Sequence, residues 1–104
     1  MDDAARPGIR IGRPLAGVRV LAIEQFVAGP YGSMLLADAG AEVIKIEQPG
    51  RGDEYRWEGP PLHDLPEAPN GSYFWRLNRG KRSVTLDLSQ PAGRQLFLDL
   101  VRQS

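Results

Sequence analysis

Val18, Val20, Leu21 and Ile23 form a short β-branched run, and Glu42–Glu47, carrying Val43, Ile44 and Ile46, forms a second. Branched side chains fit a pleated, half-buried surface, so both runs read as strands. Between them, residues 30–39 are apolar on most of their girth through Met34, Leu35 and Ala37, which predicts a helix covered on more than one side. Gly29 and Pro30 suit the start of that helix, and Gly40 supplies a left-handed exit. Strand, helix and strand with short joints imply parallel pairing and a right-handed crossover. A third strand is expected over Ser83–Leu88, with Ser89 as an N-cap candidate and Pro91 near the first position of another helix. On that helix Leu96, Phe97, Leu100 and Val101 make one apolar stripe suited to a sheet. The fold class is therefore α/β.

The connection from Gln48 to Arg82 is much longer than the roughly 2 to 6 residues usual in such units. It is rich in Pro and Gly and carries Tyr55, Trp57, Tyr73, Phe74 and Trp75, with a short helix expected over 70–77. The aromatic residues most simply pin this connection against the domain. Residues 1–13 mix acids, Arg, Gly and Pro without periodicity and are expected to be a flexible lead-in to a single domain over 14–104. Parallel sheets usually extend beyond three strands and are covered on both faces, so the chain is expected to be the N-terminal piece of something larger.

Composition narrows the function classes. The 104 residues include 13 basic and 13 acidic side chains, so no global field favours nucleic acid or an anionic membrane. Cysteine is absent, which removes thiolate chemistry and cysteine metal sites and agrees with a reducing compartment. No apolar run approaches the ~20 residues of a membrane helix, and the first residues lack the apolar block of a signal peptide. A cytoplasmic protein without membrane, nucleic-acid or metal partners is the expectation.

Ligands of open parallel sheets bind outside the carboxyl ends of the strands. That rule selects Val27, Ala28 and Gly29 after the first strand, Glu47 and Gln48 after the second, and Leu86, Asp87, Leu88 and Ser89 at the third. The first turn lacks the G-x-G-x-x-G of a dinucleotide site, having Gly29, Pro30, Tyr31 and Gly32 instead. Glu47 alone reads as a solvated carboxylate at a strand end. Arg76, Arg79, Lys81 and Arg82 form a basic cluster near the amino end of the third strand, where solvated or structural roles are expected. His63 reads as a loop residue, and no zinc motif, P-loop or nucleophile elbow is present.

The blocks "PLAGVRVL", "AGP", "LADAGAEVIKIEQPGRGDEYR" and "NRGKRSVTLDLSQPAGR", in this order, resemble the N-terminal region of the class III CoA-transferases. That family includes formyl-CoA transferase, carnitine-related CoA-transferases and α-methylacyl-CoA racemase. The resemblance covers Pro14 to about Arg102. It implies a Rossmann-like large domain, an interlocked homodimer for the full-length protein, and transfer of CoA from an acyl-CoA to a carboxylic acid through an aspartyl-CoA thioester. The catalytic aspartate is implied to lie beyond this chain, with Asp38, Asp53, Asp64, Asp87 and Asp99 not matching it.

The resemblance also implies a coenzyme A site. Its contacts would match Val27 and Ala28, Gln48, and Leu86, Asp87, Leu88 and Ser89, the same strand ends selected above. Gln48 departs from the cation usual there, and Arg51 or Arg56 in the following loop is expected to compensate. Three alternatives remain open at this point: a racemase, a non-catalytic CoA-binding module, and an interaction fragment using the apolar helix and uncovered sheet.

Overall fold

A computed structural model describes residues 13–61 and 71–104. His63, Asp64, Asn70 and the lead-in before Arg13 lie outside the described residues. Three parallel strands, β1 (Arg19–Ala22), β2 (Glu42–Glu47) and β3 (Lys81–Thr85), form one sheet in the order β1-β2-β3. The helix α1 (Ala28–Asp38) crosses from β1 to β2, α2 (Ser72–Leu77) precedes β3, and α3 (Pro91–Arg102) follows it. A 3-10 turn, Glu54–Trp57, interrupts the long connection. The mixed α/β class and parallel pairing agree with the sequence expectation.

Alternation in β2 sets the two faces of the sheet. Val43 lies on the face covered by α1, where it packs with Ala22, Ala41, Val20, Leu15 and Ala37. Ile44 and Ile46 point to the opposite face and are also buried. The turn from α1 into β2 passes through Gly40 at φ 104, the left-handed conformation in which a side chain is disfavoured.

The boundaries of α1 and β3 differ from the sequence reading. The helix α1 starts at Ala28 rather than Pro30, which places Gly29 inside its first turn. A Cβ on Gly29 would sit 2.8 Å from the Glu24 Cβ, so close packing against the β1 exit requires glycine there. The strand β3 begins at Lys81 and ends at Thr85, because its register is fixed against β2: Val43 opposes Lys81 and Glu47 opposes Thr85. Leu86–Ser89 therefore follow the strand, although Leu86 N–H still donates to the Glu47 carbonyl at 3.0 Å.

Ser89 does not cap α3. Gln90 holds the cap position and Pro91 opens the helix, while Ser89 Oγ donates to Asp87 Oδ1 at 2.5 Å. The apolar stripe of α3 is divided: Phe97 and Leu100 are half-buried, whereas Leu96 and Val101 are exposed, as is Leu98 beside it. The outer side of α1 is likewise uncovered at Tyr31, Leu35 and Leu36.

Candidate functional site

The carboxyl ends of all three strands open into one cavity of about 710 Å³. Its wall comprises residues 23–25 after β1, 46–49 at the end of β2, Gly52 and Asp53 in the following loop, and 86–89 after β3. A second cavity of about 200 Å³ adjoins it, sharing Glu47, Gln48 and Gly52 and adding Arg51, Arg56 and Ser83. The two differ in charge. Glu24, Glu47, Asp53 and Asp87 line the larger cavity without any Lys or Arg, whereas both arginines line the smaller one.

Beneath these cavities runs a network of buried polar groups. Lys45, on the α1 face of β2 between Val43 and Glu47, is 1% exposed and donates to Asp53 Oδ2 at 2.6 Å and Asn78 Oδ1 at 3.0 Å. Lys81 Nζ donates to the same Asn78 oxygen at 2.8 Å, to the Pro30 carbonyl at 3.0 Å and to Glu24 Oε1 at 3.4 Å. Desolvation lowers the pKa of Lys81 from its ordinary value against the opposing attraction of Glu24. Removing ions from water costs several kcal/mol each unless partners satisfy them, and here Asn78 joins the two lysines through one acceptor.

Glu47 anchors the other side of the network. Arg56 donates from Nε and Nη2 to its two oxygens at 2.7 Å, Ser83 Oγ donates to Oε2, and the Asp53 N–H donates to Oε1 at 2.9 Å. Burial opposes ionisation of this carboxyl, but hydrogen bonds from Arg56, Ser83 and Asp53 together with the Arg56 charge outweigh it and hold the pKa at about 2. Glu47 is therefore not the solvated carboxylate expected from sequence. The face alternation of β2 turns it inward with Val43 and Lys45.

Asp53 ties the long connection to the β1 exit. Its Oδ1 accepts N–H donation from Tyr55 at 2.9 Å and from Phe26 at 3.2 Å. Phe26 has φ 67, an uncommon conformation for a bulky residue, and this hydrogen bond helps retain it immediately before α1. The aromatic residues of the connection behave unequally. Tyr55 meets Phe26 of the β1 exit and Tyr73 at centroid separations of 5.5 and 5.6 Å; Phe74 is buried, whereas Trp57, Tyr73 and Trp75 are exposed.

The structure brings Gln48, Leu86, Asp87, Leu88 and Ser89 to the wall of the larger cavity. Val27 and Ala28 lie outside that wall, at the cap and first residue of α1. The Gln48 side chain donates to the Gly52 carbonyl at 3.3 Å. Arg56 is committed to Glu47 and lies 3.8 Å over the Phe74 ring. Arg51 is the more exposed arginine, paired with Glu54 and 4.5 Å over the Trp57 ring. In the basic cluster, Arg79 pairs with Asp38 and Arg82 with Glu42, structural roles as expected.

Each described aspartate has a polar partner: Asp38 has Arg79, Asp53 has Lys45, Asp87 has Ser89 and Asp99 has Arg102. Hydrogen bonds from the Ser89 hydroxyl and N–H lower the pKa of Asp87 from its ordinary value. Among the described residues, no group of three or more His, Cys, Asp or Glu could hold a metal ion. No described helix is long and apolar enough to cross a membrane.

A cavity at the carboxyl ends of the strands is where open parallel α/β sheets bind their ligands. The chain belongs to CoA-transferase family III, whose model matches residues 15–104. It is 49% identical over 90 residues to a succinyl-CoA:mesaconate CoA-transferase of Haloarcula hispanica, covering 86% of this chain and 22% of that protein. It is 44% identical over 91 residues to a succinate–glutarate CoA-transferase of Agrobacterium fabrum, covering 86% and 23%. A CAIB/BAIF family protein from Brucella suis has a solved structure matching at TM-score 0.79 and 39% identity, covering 89% of this chain and 24% of that one. The chain thus spans about a quarter or less of the length of these relatives.

Proposed function

We propose that this chain supplies the nucleotide side of a coenzyme A site, and that the whole protein transfers CoA from an acyl-CoA to a carboxylic acid. The carrying observation is the 710 Å³ cavity where all three parallel strands end, with Gln48 and residues 86–89 on its wall. The transferase activities of the relatives favour this reaction over racemisation. In this reading the backbone near Val27 and Ala28 approaches the ligand, and the Leu86–Ser89 turn positions it. Arg51 contributes the positive charge that Gln48 lacks.

Phosphate-bearing portions of CoA fit the smaller cavity beside Arg51, because a guanidinium offers paired donors to phosphate oxygens. Arg56 keeps the Glu47 side of that cavity neutral overall. The covalent step requires a carboxylate nucleophile, and in this reading, as the family resemblance implies, that aspartate belongs to a part of the whole protein outside these 104 residues. The acyl acceptor site and the homodimer belong to the same proposal for the whole protein.

Calorimetric titration of the chain with CoA and with adenosine 3′,5′-bisphosphate tests the reading. Saturable binding of both is expected, and Arg51→Ala weakens both by removing the phosphate-side cation. Absence of saturable binding by the folded wild-type chain contradicts a nucleotide-side CoA site.

A further inference from the structure

One buried polar atom at the cavity has no partner. Glu24 lines the larger cavity, and its side chain is 6% exposed. Its Oε1 accepts from Ser33 Oγ at 2.5 Å and Lys81 Nζ at 3.4 Å, while Oε2 is buried without a hydrogen bond. It is the one such side-chain atom among the described residues. An unsatisfied buried acceptor is costly, with a desolvation penalty of about 1–3 kcal/mol or more for a charged group. Retaining it at a ligand-sized opening is explained when a bound molecule supplies the missing donor.

The surrounding charges restrict that molecule. Carboxylates of Glu24, Glu47, Asp53 and Asp87 line the larger cavity and no Lys or Arg does; Lys81, Arg56 and Lys45 are paired with the first three, so an anionic group placed at Glu24 finds no side-chain cation on the wall to receive it. Arg51 lies on the smaller, adjoining cavity. From this division we infer that Glu24 Oε2 accepts a hydrogen bond from an uncharged N–H or O–H donor of the ligand, while anionic groups are placed on the Arg51 side. Glu24 is thus a specificity residue of the cavity, selecting a neutral hydrogen-bonding segment at the β1 exit. The inference rests on the CoA reading for its natural ligand, in which adenosine and pantetheine both carry such donors.

The test uses adenosine, pantetheine, adenosine 3′,5′-bisphosphate and CoA as separate probes of the wild-type chain and Glu24→Gln. Glu24→Gln retains the size of the side chain but removes its charge, and a folded variant is expected to bind CoA and one of the neutral probes at least about tenfold more weakly. Which neutral probe is affected identifies the donor segment. The bisphosphate responds with adenosine if the nucleoside is the donor, and remains unaffected if pantetheine is.

Wild-type CoA binding with no neutral-probe or CoA loss in Glu24→Gln overturns the Glu24 inference and leaves the CoA reading standing. Glu24-dependent binding of a neutral probe without CoA binding sustains the inference and overturns the CoA reading. If Glu24→Gln does not fold, the carboxyl ¹³C resonance of Glu24 in the wild-type chain gives the answer. A shift on saturation with either neutral probe supports the donor contact, and an unchanged resonance with both overturns it.

Discussion

Gly29 lies so close to Glu24 that an added Cβ would come within 2.8 Å of the Glu24 Cβ and 3.4 Å of Oε2. The glycine in the first turn of α1 therefore serves a side chain of the β1 exit. A Gly→Ala change in an unobstructed helix stabilises by roughly 0.5–1 kcal/mol, but overpacking here reverses that sign, with an expected net loss of about 1–2 kcal/mol. Urea unfolding of Gly29→Ala checks this directly: a higher midpoint would contradict the close packing.

Lys45 and Asp53 form the most buried ion pair among the described residues, with side chains 1% and 0% exposed. Lys45→Met leaves Asp53 without its cation, for an expected loss of about 3–5 kcal/mol of stability. Replacing Asp53 as well, in Lys45→Met/Asp53→Asn, removes the isolated charge and recovers part of the loss. A double-mutant cycle from urea unfolding measures that coupling; additivity of the two replacements would count against the pair.

The Glu47 pKa is held at about 2, below its ordinary 4.5. Because the folded value is depressed, its contribution to stability is fully present above about pH 4.5 and is lost as pH falls through 4.5 toward 2. Glu47→Gln should therefore flatten the acid side of the stability profile in that window. Unfolding midpoints at about pH 6, 4 and 2, values that bracket the window, distinguish the variant from wild type. An equally steep acid loss in both assigns it elsewhere.

Asp87 and Gly93 carry the turn after β3. A Cβ on Gly93 would run into the Asp87 carbonyl, so Gly93→Ala must displace the 86–89 turn or the start of α3. The expected cost is about 1–3 kcal/mol, accompanied by weaker CoA binding in the folded variant. Thermal unfolding and calorimetry on the same sample check both effects. Unchanged stability and affinity would show that the turn tolerates the displacement.

The sheet was legible because Val20, Val43, Ile44 and Ile46 advertise strands, and Gly40 marks the return from α1. The third strand was less so. Its own residues favoured Ser83–Leu88, but pairing with β2 draws Lys81 and Arg82 into the ladder and releases Leu86 onward. The strand-end rule selected Gln48 and residues 86–89, which meet at one cavity, but also Val27 and Ala28, which the structure leaves outside its wall. The polar network escaped sequence reasoning. Alternation with Val43 gave a signal that Lys45 and Glu47 face inward, yet their partners Asp53, Arg56 and Asn78 come from an aperiodic connection. Nor does spacing reveal that Glu24 retains a free buried oxygen, because its neighbours Ser33 and Lys81 come from different elements.

Backbone amide NMR during titration of the isotopically labelled chain with CoA tests the proposed site most directly. The account predicts saturable shifts at Gln48 and across Leu86, Asp87, Leu88 and Ser89, with accompanying shifts at Val27 and Ala28. Saturable shifts confined to the Arg79–Ser83 side of the sheet, or no shifts at saturating CoA, would contradict a CoA site at the strand ends.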